Sequence, residues 1–368
     1  MTGRVIEEAE VRYVRLPLRE PLEASHGTVT ERPLTLVRLS DGETEGWGEC
    51  GALPQPTYTD EFAAGAHLLL RDHLVPRLMG VEATPAAVAR VLAPVLGGPM
   101  AKAAVDMAAT DLALRRAGRS LASAWAVPVG SVAAGAVTGL APSPDVLVAR
   151  VTALAAAGYR RVKIKIEPGR DVEPIAAVRA ALPHLELHVD ANGAYDPLSV
   201  DALRRLDDLG VACVEQPFPL GAEAAAATLD GRLAATVALD ESVVSPAAGE
   251  RLLEAGFRGA LVLKPARLGG LEAAKRLHDL SLAAGAGLIA GGLLESGIGR
   301  RALVTLAALP GCRLVGDVSP PDRWFTDDIA APLELLDGCL AVPDGPGLGV
   351  VPDPAALDRL TVETRRFG

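Results

Sequence analysis

From about residue 134 onward, short apolar runs return at an almost constant interval, and no other feature of the chain constrains its fold so tightly. The runs are AGAVTGL, YRRVKIKI, LELHVDAN, VACVEQP, ATVALDES, GALVLKPA, GLIAGG and CRLVGDVS, eight in all, separated by alanine- and leucine-rich stretches of helical character. Five successive runs end on Lys165, Asp190, Glu215, Asp240 and Lys264, at spacings of 25, 25, 25 and 24 residues. A strand, a loop, a helix and a return loop fill about that length, and repeating the unit closes a parallel sheet into a barrel. The expected architecture is therefore α/β: a (β/α) barrel of TIM type over residues 129–325, modified to seven or eight units.

Residues 1–128 have a different texture. LTLVRLSDGETEGWGEC alternates on both sides of Asp41-Gly42, a hairpin signal. AKAAVDMAATDLALRRAG then repeats apolar residues at helical intervals and stops at Gly118. Strands followed by helices predict an α+β domain. The tail, residues 326–368 with the turn-rich PDGPGLGV, is expected to pack back on that domain.

Barrels of this kind keep their chemistry at the C-terminal ends of the strands, which is where the periodic Lys, Asp, Glu, Asp and Lys fall. Only five of the 36 basic residues are lysine (Lys102, Lys163, Lys165, Lys264 and Lys275), and three of those lie in apolar, strand-like runs. Arginine cannot give up its proton; lysine can. Lys163 and Lys165 are two apart, so they share a face and should both look into the barrel. Burial and mutual repulsion are expected to disfavour their charge and tune at least one as a general base. The alternative for the pair alone is snorkelling to the barrel rim. Asp190, Glu215 and Asp240 would converge on one side of the mouth, where three carboxylates need a cation. Hard oxygen ligands suit magnesium, with manganese as a substitute. Taken singly, Asp240 with Glu241 in DES could cap a helix, and Asp190 with Asn192 could shape a turn. Lys264 would face the lysine pair across the mouth. Lysines on two sides with a divalent ion between them suit removal of a proton next to a carboxylate.

A net charge of −10 argues against a nucleic-acid partner. Four scattered cysteines form no CxxC pair, and MTGRVIEEAE places acidic residues where a signal peptide is basic, so a cytoplasmic protein is expected. Prolines and glycines interrupt the uncharged stretch 120–144, which argues against a membrane span. The glycines around Gly292 match no phosphate-binding fingerprint and are read as close backbone approach to a carboxylate or succinyl group. Glu295 and Ser296 could contact substrate or cap a helix. The six histidines, His26 among them, show no ligand spacing, and Trp47 and Tyr58 are read as packing residues, Tyr58 near the mouth.

KIK at 163–165, DAN at 190–192, EQP at 215–217, DES at 240–242 and LKP at 263–265 resemble, in order, the motifs of the muconate-lactonizing subgroup of the enolase superfamily. GWGEC, PTYTDE, KPARLGG, GGLLESGIGR and GPGLGV are more narrowly similar to the o-succinylbenzoate synthases related to N-succinylamino acid racemases. The resemblance implies a capping domain whose lid loops, about 19–33 and 50–60, close the mouth. It implies Lys165 as general base with Lys163 beside it, Lys264 on the opposite face, and Asp190, Glu215 and Asp240 as magnesium ligands. It places Arg267 where a fixed charge could modulate Lys264; the alternative is an ordinary loop arginine. It also implies a homo-oligomer acting on a small carboxylate. The principal expectation is o-succinylbenzoate synthesis from 2-succinyl-6-hydroxy-2,4-cyclohexadiene-1-carboxylate in menaquinone biosynthesis, with N-succinylamino acid racemisation as a second or, alternatively, the dedicated activity. A dipeptide epimerase is disfavoured, because Asp317-Val318-Ser319 departs from that group's DxD. A barrel that merely sequesters a carboxylate is disfavoured by retention of all three lysines and all three carboxylates.

Overall fold

The computed structural model describes residues 4–24, 27–198 and 200–368. The chain begins with three antiparallel strands, β1 (Glu8–Ala24), β2 (Gly27–Ser40) and β3 (Glu45–Cys50). The Asp41 carboxylate accepts from the backbone N–H groups of Glu43 and Thr44, and so shapes the turn between β2 and β3. The helix Pro99–Arg116 lies directly on β3, and Gly46 and Gly48 make that approach possible. A Cβ on Gly46 would stand 2.2 Å from Leu112 N, and one on Gly48 2.0 Å from Ala104 O.

The stretch 19–33, expected as a lid loop, is largely ladder. β1 and β2 continue to pair through Leu22 with Val29 and Ala24 with Gly27, after an irregularity between Pro17 and Leu22. The β-branched Thr28, Val29 and Thr30 favour such extended pairing. Ser25 and His26, within the same expectation, lie outside the described residues.

The barrel follows β4 (Ser131–Ala133). Its strands are β5 (Gly135–Thr138), β6 (Arg161–Lys165), β7 (Glu186–Asp190), β8 (Cys213–Glu215), β9 (Thr236–Leu239), β10 (Ala260–Leu263) and β11 (Gly287–Ala290). They form one parallel sheet in chain order. Helices fill the crossovers, and those starting at Pro144 and Pro246 are each capped by a preceding serine, Ser143 and Ser245. The period of two sorts the side chains. Val162, Ile164, Leu187, Val189, Leu261 and Leu263 point outward into the helix-facing core, whereas Cys213, Ala238, Ala260, Val262 and Ile289 fill the barrel interior. Each valine, leucine or isoleucine among them contributes about 1.5–3 kcal/mol by burial.

The eighth run departs from expectation, since no regular strand forms at residues 312–319. Single bonds close the gap instead: Asp317 N–H to Ala290 O at 2.8 Å and Gly135 N–H to Val318 O at 3.3 Å. Arg161, wholly buried, donates from Nε to Val315 O at 2.8 Å and pairs with Asp317 at 2.9 Å. Beyond the barrel, β12 (Cys339–Ala341) pairs with β4, and β13 (Thr361–Phe367) pairs with β1 at the edge of the N-terminal sheet. Among the described residues, no helix is long and apolar enough to cross a membrane.

Candidate active site

At the C-terminal ends of the strands lies a cavity of about 330 Å³, lined by Lys163, Lys165, Asp190, Asp240 and Lys264 from the barrel and by Tyr58 from the N-terminal domain. Cross-strand register sets the first contacts: Lys165 is level with Asp190, and Asp190 with Glu215. Lys165 Nζ donates to Asp190 at 2.7 Å and also to Asn192, and its side chain keeps 34 % of its surface accessible. Lys163 differs sharply. Only 3 % exposed, its ammonium is enclosed by both oxygens of Glu215 at 2.8 Å, by Asp317 at 2.6 Å and by Asp190 at 3.5 Å. Across the mouth, Lys264 donates to Asp240 at 2.7 Å and to the Tyr58 hydroxyl at 2.9 Å, with its ammonium 4.7 Å from the centre of the Tyr58 ring. Arg267, on the one-turn helix Pro265–Leu268, reaches the other Asp240 oxygen at 2.6 Å and also touches the Tyr58 hydroxyl.

The expectation that crowding lowers the lysine pair's affinity for protons fails at Lys163. Burial pulls its ammonium down, but Asp317, Glu215 and Asp190 more than offset this and hold it well above the usual lysine range. Lys264 follows the same rule: burial pulls it down, and Asp240 together with Tyr58 more than offsets this. Asp240 is correspondingly held well below the usual carboxylate range, because Arg267 and Lys264 outweigh burial. Glu215 shifts upward, since burial and the neighbouring Asp190, Asp317 and Asp240 exceed what Lys163 supplies. Burial and Asp240 push the Tyr58 phenol up to about 12.

Among the described residues, no group of three or more His, Cys, Asp or Glu stands arranged to hold a metal ion. The expected convergence of Asp190, Glu215 and Asp240 is therefore incomplete, and the physical reason is that each carboxylate is turned onto a lysine or arginine. The donor set nevertheless fits a divalent cation. It comprises hard oxygens at three consecutive strand ends, and Glu215 is pushed up first by burial and then by Asp190, Asp317 and Asp240, which together exceed what Lys163 offsets. Enzymes of the kind identified below generally use a divalent metal.

The remaining expected residues divide. Asn192, at φ +42°, lines the cavity, bonds Lys165 and donates to Glu241 at 2.8 Å, leaving the other Glu241 oxygen without a partner among the described residues. Gly292 lines the cavity too, but what forbids a side chain there is protein: a Cβ would stand 2.8 Å from Asp317 O and 2.9 Å from an Arg300 nitrogen. Glu295 and Ser296 lie behind the wall. Glu295 pairs with Arg300 at 2.7 Å, and Ser296 caps the helix Gly297–Ala307 by accepting from Ile298 N–H.

Three residues that the sequence did not single out for the site are central to it. Tyr58 joins Lys264, Arg267 and Asp240, although it was read as packing. Asp317 bridges Lys163 and Arg161. Gln216, strained at φ +38°, accepts from the N–H groups of Asp240 and Ser242 and so stations Asp240. The signals available were the place of Gln216 inside EQP and of Asp317 at the end of the eighth run.

Two family models match the chain: the mandelate racemase / muconate lactonizing enzyme N-terminal domain over residues 6–124, and the enolase C-terminal domain-like model over residues 146–356. An N-succinylamino acid racemase of Amycolatopsis sp is 41 % identical over 354 residues, covering 96 % of each chain. An o-succinylbenzoate synthase of Bacillus subtilis (strain 168) is 35 % identical over 348 residues, covering 94 % of each. A solved structure described as a probable mandelate racemase from Alicyclobacillus acidocaldarius superposes with TM-score 0.92 at 36 % identity, covering 98 % of this chain and 99 % of that one. The cavity, the capping sheet and these likenesses agree: the chain is an enzyme of the mandelate racemase and muconate lactonizing enzyme branch of the enolase superfamily.

Proposed function

We propose that the enzyme is an o-succinylbenzoate synthase serving menaquinone biosynthesis, with N-succinylamino acid racemisation as a second activity of the same cavity. The observation that carries this reading is the placement of Lys165 and Lys264. They line one cavity from β6 and from the end of β10, strands separated by three others in the sheet. Relatives named for one activity or the other keep both reactions in view for this cavity.

Lys165 is the base in this reading because Lys163 is enclosed by three carboxylates whereas Lys165 is accessible. It takes the proton from the carbon next to the substrate carboxylate. The electron pair moves onto that carboxylate as an enolate and then expels the ring hydroxyl, which leaves as water with the proton returned by Lys165. Lys264 and Arg267 keep positive charge on the opposite face. Asp190, Glu215 and Asp240 would hold a divalent ion, for which we propose magnesium with manganese as a substitute, and that ion would supply positive charge beside the substrate carboxylate.

Racemisation uses the same groups differently: one lysine removes the α proton and the other delivers a proton to the far face. Asp317 bears on substrate choice. It is already ion-paired with both Lys163 and Arg161, so an amino-terminal ammonium would have to compete with two buried cations for it. An N-acylated substrate, lacking that ammonium, fits better. The test is a paired assay on one preparation with magnesium, dehydration of the cyclohexadiene precursor against racemisation of N-succinyl amino acids, repeated after chelation. Loss of both on chelation supports the reading. Turnover undiminished by chelation, or absence of both activities, ends it.

A further inference from the structure

Two buried ionisable side chains of the capping domain cross to the barrel and grip the same short connection. Arg32 of β2 is 2 % exposed, and among the described residues no carboxylate touches it. Its guanidinium donates instead to backbone carbonyls: Gly51 at 2.8 Å and Ala52 at 2.6 Å in the capping domain, and Leu293 at 3.2 Å in the barrel. Glu49 of β3 is also 2 % exposed. Its carboxylate accepts from Ser296 N–H at 3.1 Å, from Gly299 N–H at 3.2 Å and from the Ser296 hydroxyl. Both side chains therefore land on residues 293–299, the end of the link from β11 and the first turn of the helix Gly297–Ala307.

That link forms part of the cavity wall. Gly292, Leu293 and Leu294 line the cavity, Leu294 in the left-handed region at φ +58°, and Arg300 holds the Asp317 carbonyl at 2.8 Å. The carbonyls of Gly51 and Ala52 begin the loop that carries Leu53 and Tyr58 into the same cavity. One planar guanidinium thus spans both lips of the mouth. Burying a charge away from an opposite charge is costly, and apolar packing would join two domains at lower cost. What a rigid fork of donors adds is alignment.

We infer that Arg32 and Glu49 are positioning residues that set the separation of the two lips, and hence the size of substrate the cavity accepts. The inference rests on the proposed function only for its kinetic part. Hydrogen exchange without substrate tests the rest. In Arg32→Met, amides of both lips, 51–60 and 291–299, should exchange about ten- to a hundredfold faster, the range expected when bonds to a charged group are lost, while β6 to β9 keep their protection. Glu49→Gln should loosen 293–299 but not 51–60. Arg32→Lys, which keeps the charge and loses the fork, should fall between. With either proposed substrate, KM should rise more than kcat falls. Wild-type exchange at both lips in Arg32→Met, or acceleration spread evenly over the chain in both Arg32 variants, would overturn the inference.

Discussion

The two sides of the barrel mouth hold the same pair of groups, a lysine and a carboxylate, yet assemble them differently. On the β6 side everything comes from the barrel: Lys165 rests on Asp190 and Asn192 and stays one-third exposed. On the β10 side Lys264 is 7 % exposed and shares Asp240 with Arg267, and the capping domain completes the set with Tyr58. The first side is open and self-contained. The second is closed, more positive and dependent on the cap. An accessible amine suits taking a proton, and a buried, cation-flanked one suits stabilising the charge that results.

The comparison can be broken most severely at its open side. Lys165→Ala should lower synthase turnover by about 10²- to 10⁴-fold, the range for general acid–base catalysis, as measured by steady-state dehydration. Lys264→Ala should separate the two reactions: racemisation should fall by a similar factor of about 10² or more, whereas dehydration, which returns its proton on one face, should fall less. Tyr58→Phe removes a hydroxyl bonded to Lys264 and Asp240, and should cost about tenfold in racemisation, with a smaller effect on dehydration, if the cap serves the β10 side alone.

The weakest lever acts through the seam. Glu49 is pushed up to about 7 by burial, with neighbouring Glu295 adding to the shift, against an ordinary value of 4.5. The folded state binds this proton more tightly than the unfolded chain. Its contribution to stability is thus full below pH about 4.5 and is lost as pH rises through about 7, a change of roughly 3 kcal/mol. Urea unfolding at about pH 5 and about pH 8 should show that loss in the wild type and a smaller one in Glu49→Gln.

What the barrel strands contribute to both sides was legible in sequence, and what reaches the mouth from elsewhere was not. Lys165, Asp190, Glu215, Asp240 and Lys264 were found because a strand-to-strand period places them, and period is a property of local sequence. Tyr58 and Asp317 were not, because their roles are contacts across 206 and 154 residues respectively, which no spacing encodes. The eighth run has the apolar character of a strand, but Arg161 takes the carbonyl of Val315 that a ladder would need. The 19–33 segment was expected as a loop from resemblance, whereas its own Thr-Val-Thr pattern favours the strand that forms. Asp190, Glu215 and Asp240 do stand at the ends of consecutive strands, as the period places them. What the sequence left out was that lysine and arginine would pair with every one of those carboxylates.

The most direct test of a two-sided mouth is α-proton exchange into heavy water for each enantiomer of an N-succinyl amino acid, measured with the two single-lysine variants. The account predicts that Lys165→Ala retains exchange with one enantiomer only and Lys264→Ala with the other only. Exchange of the same enantiomer by both variants, or of both enantiomers by either, would contradict it.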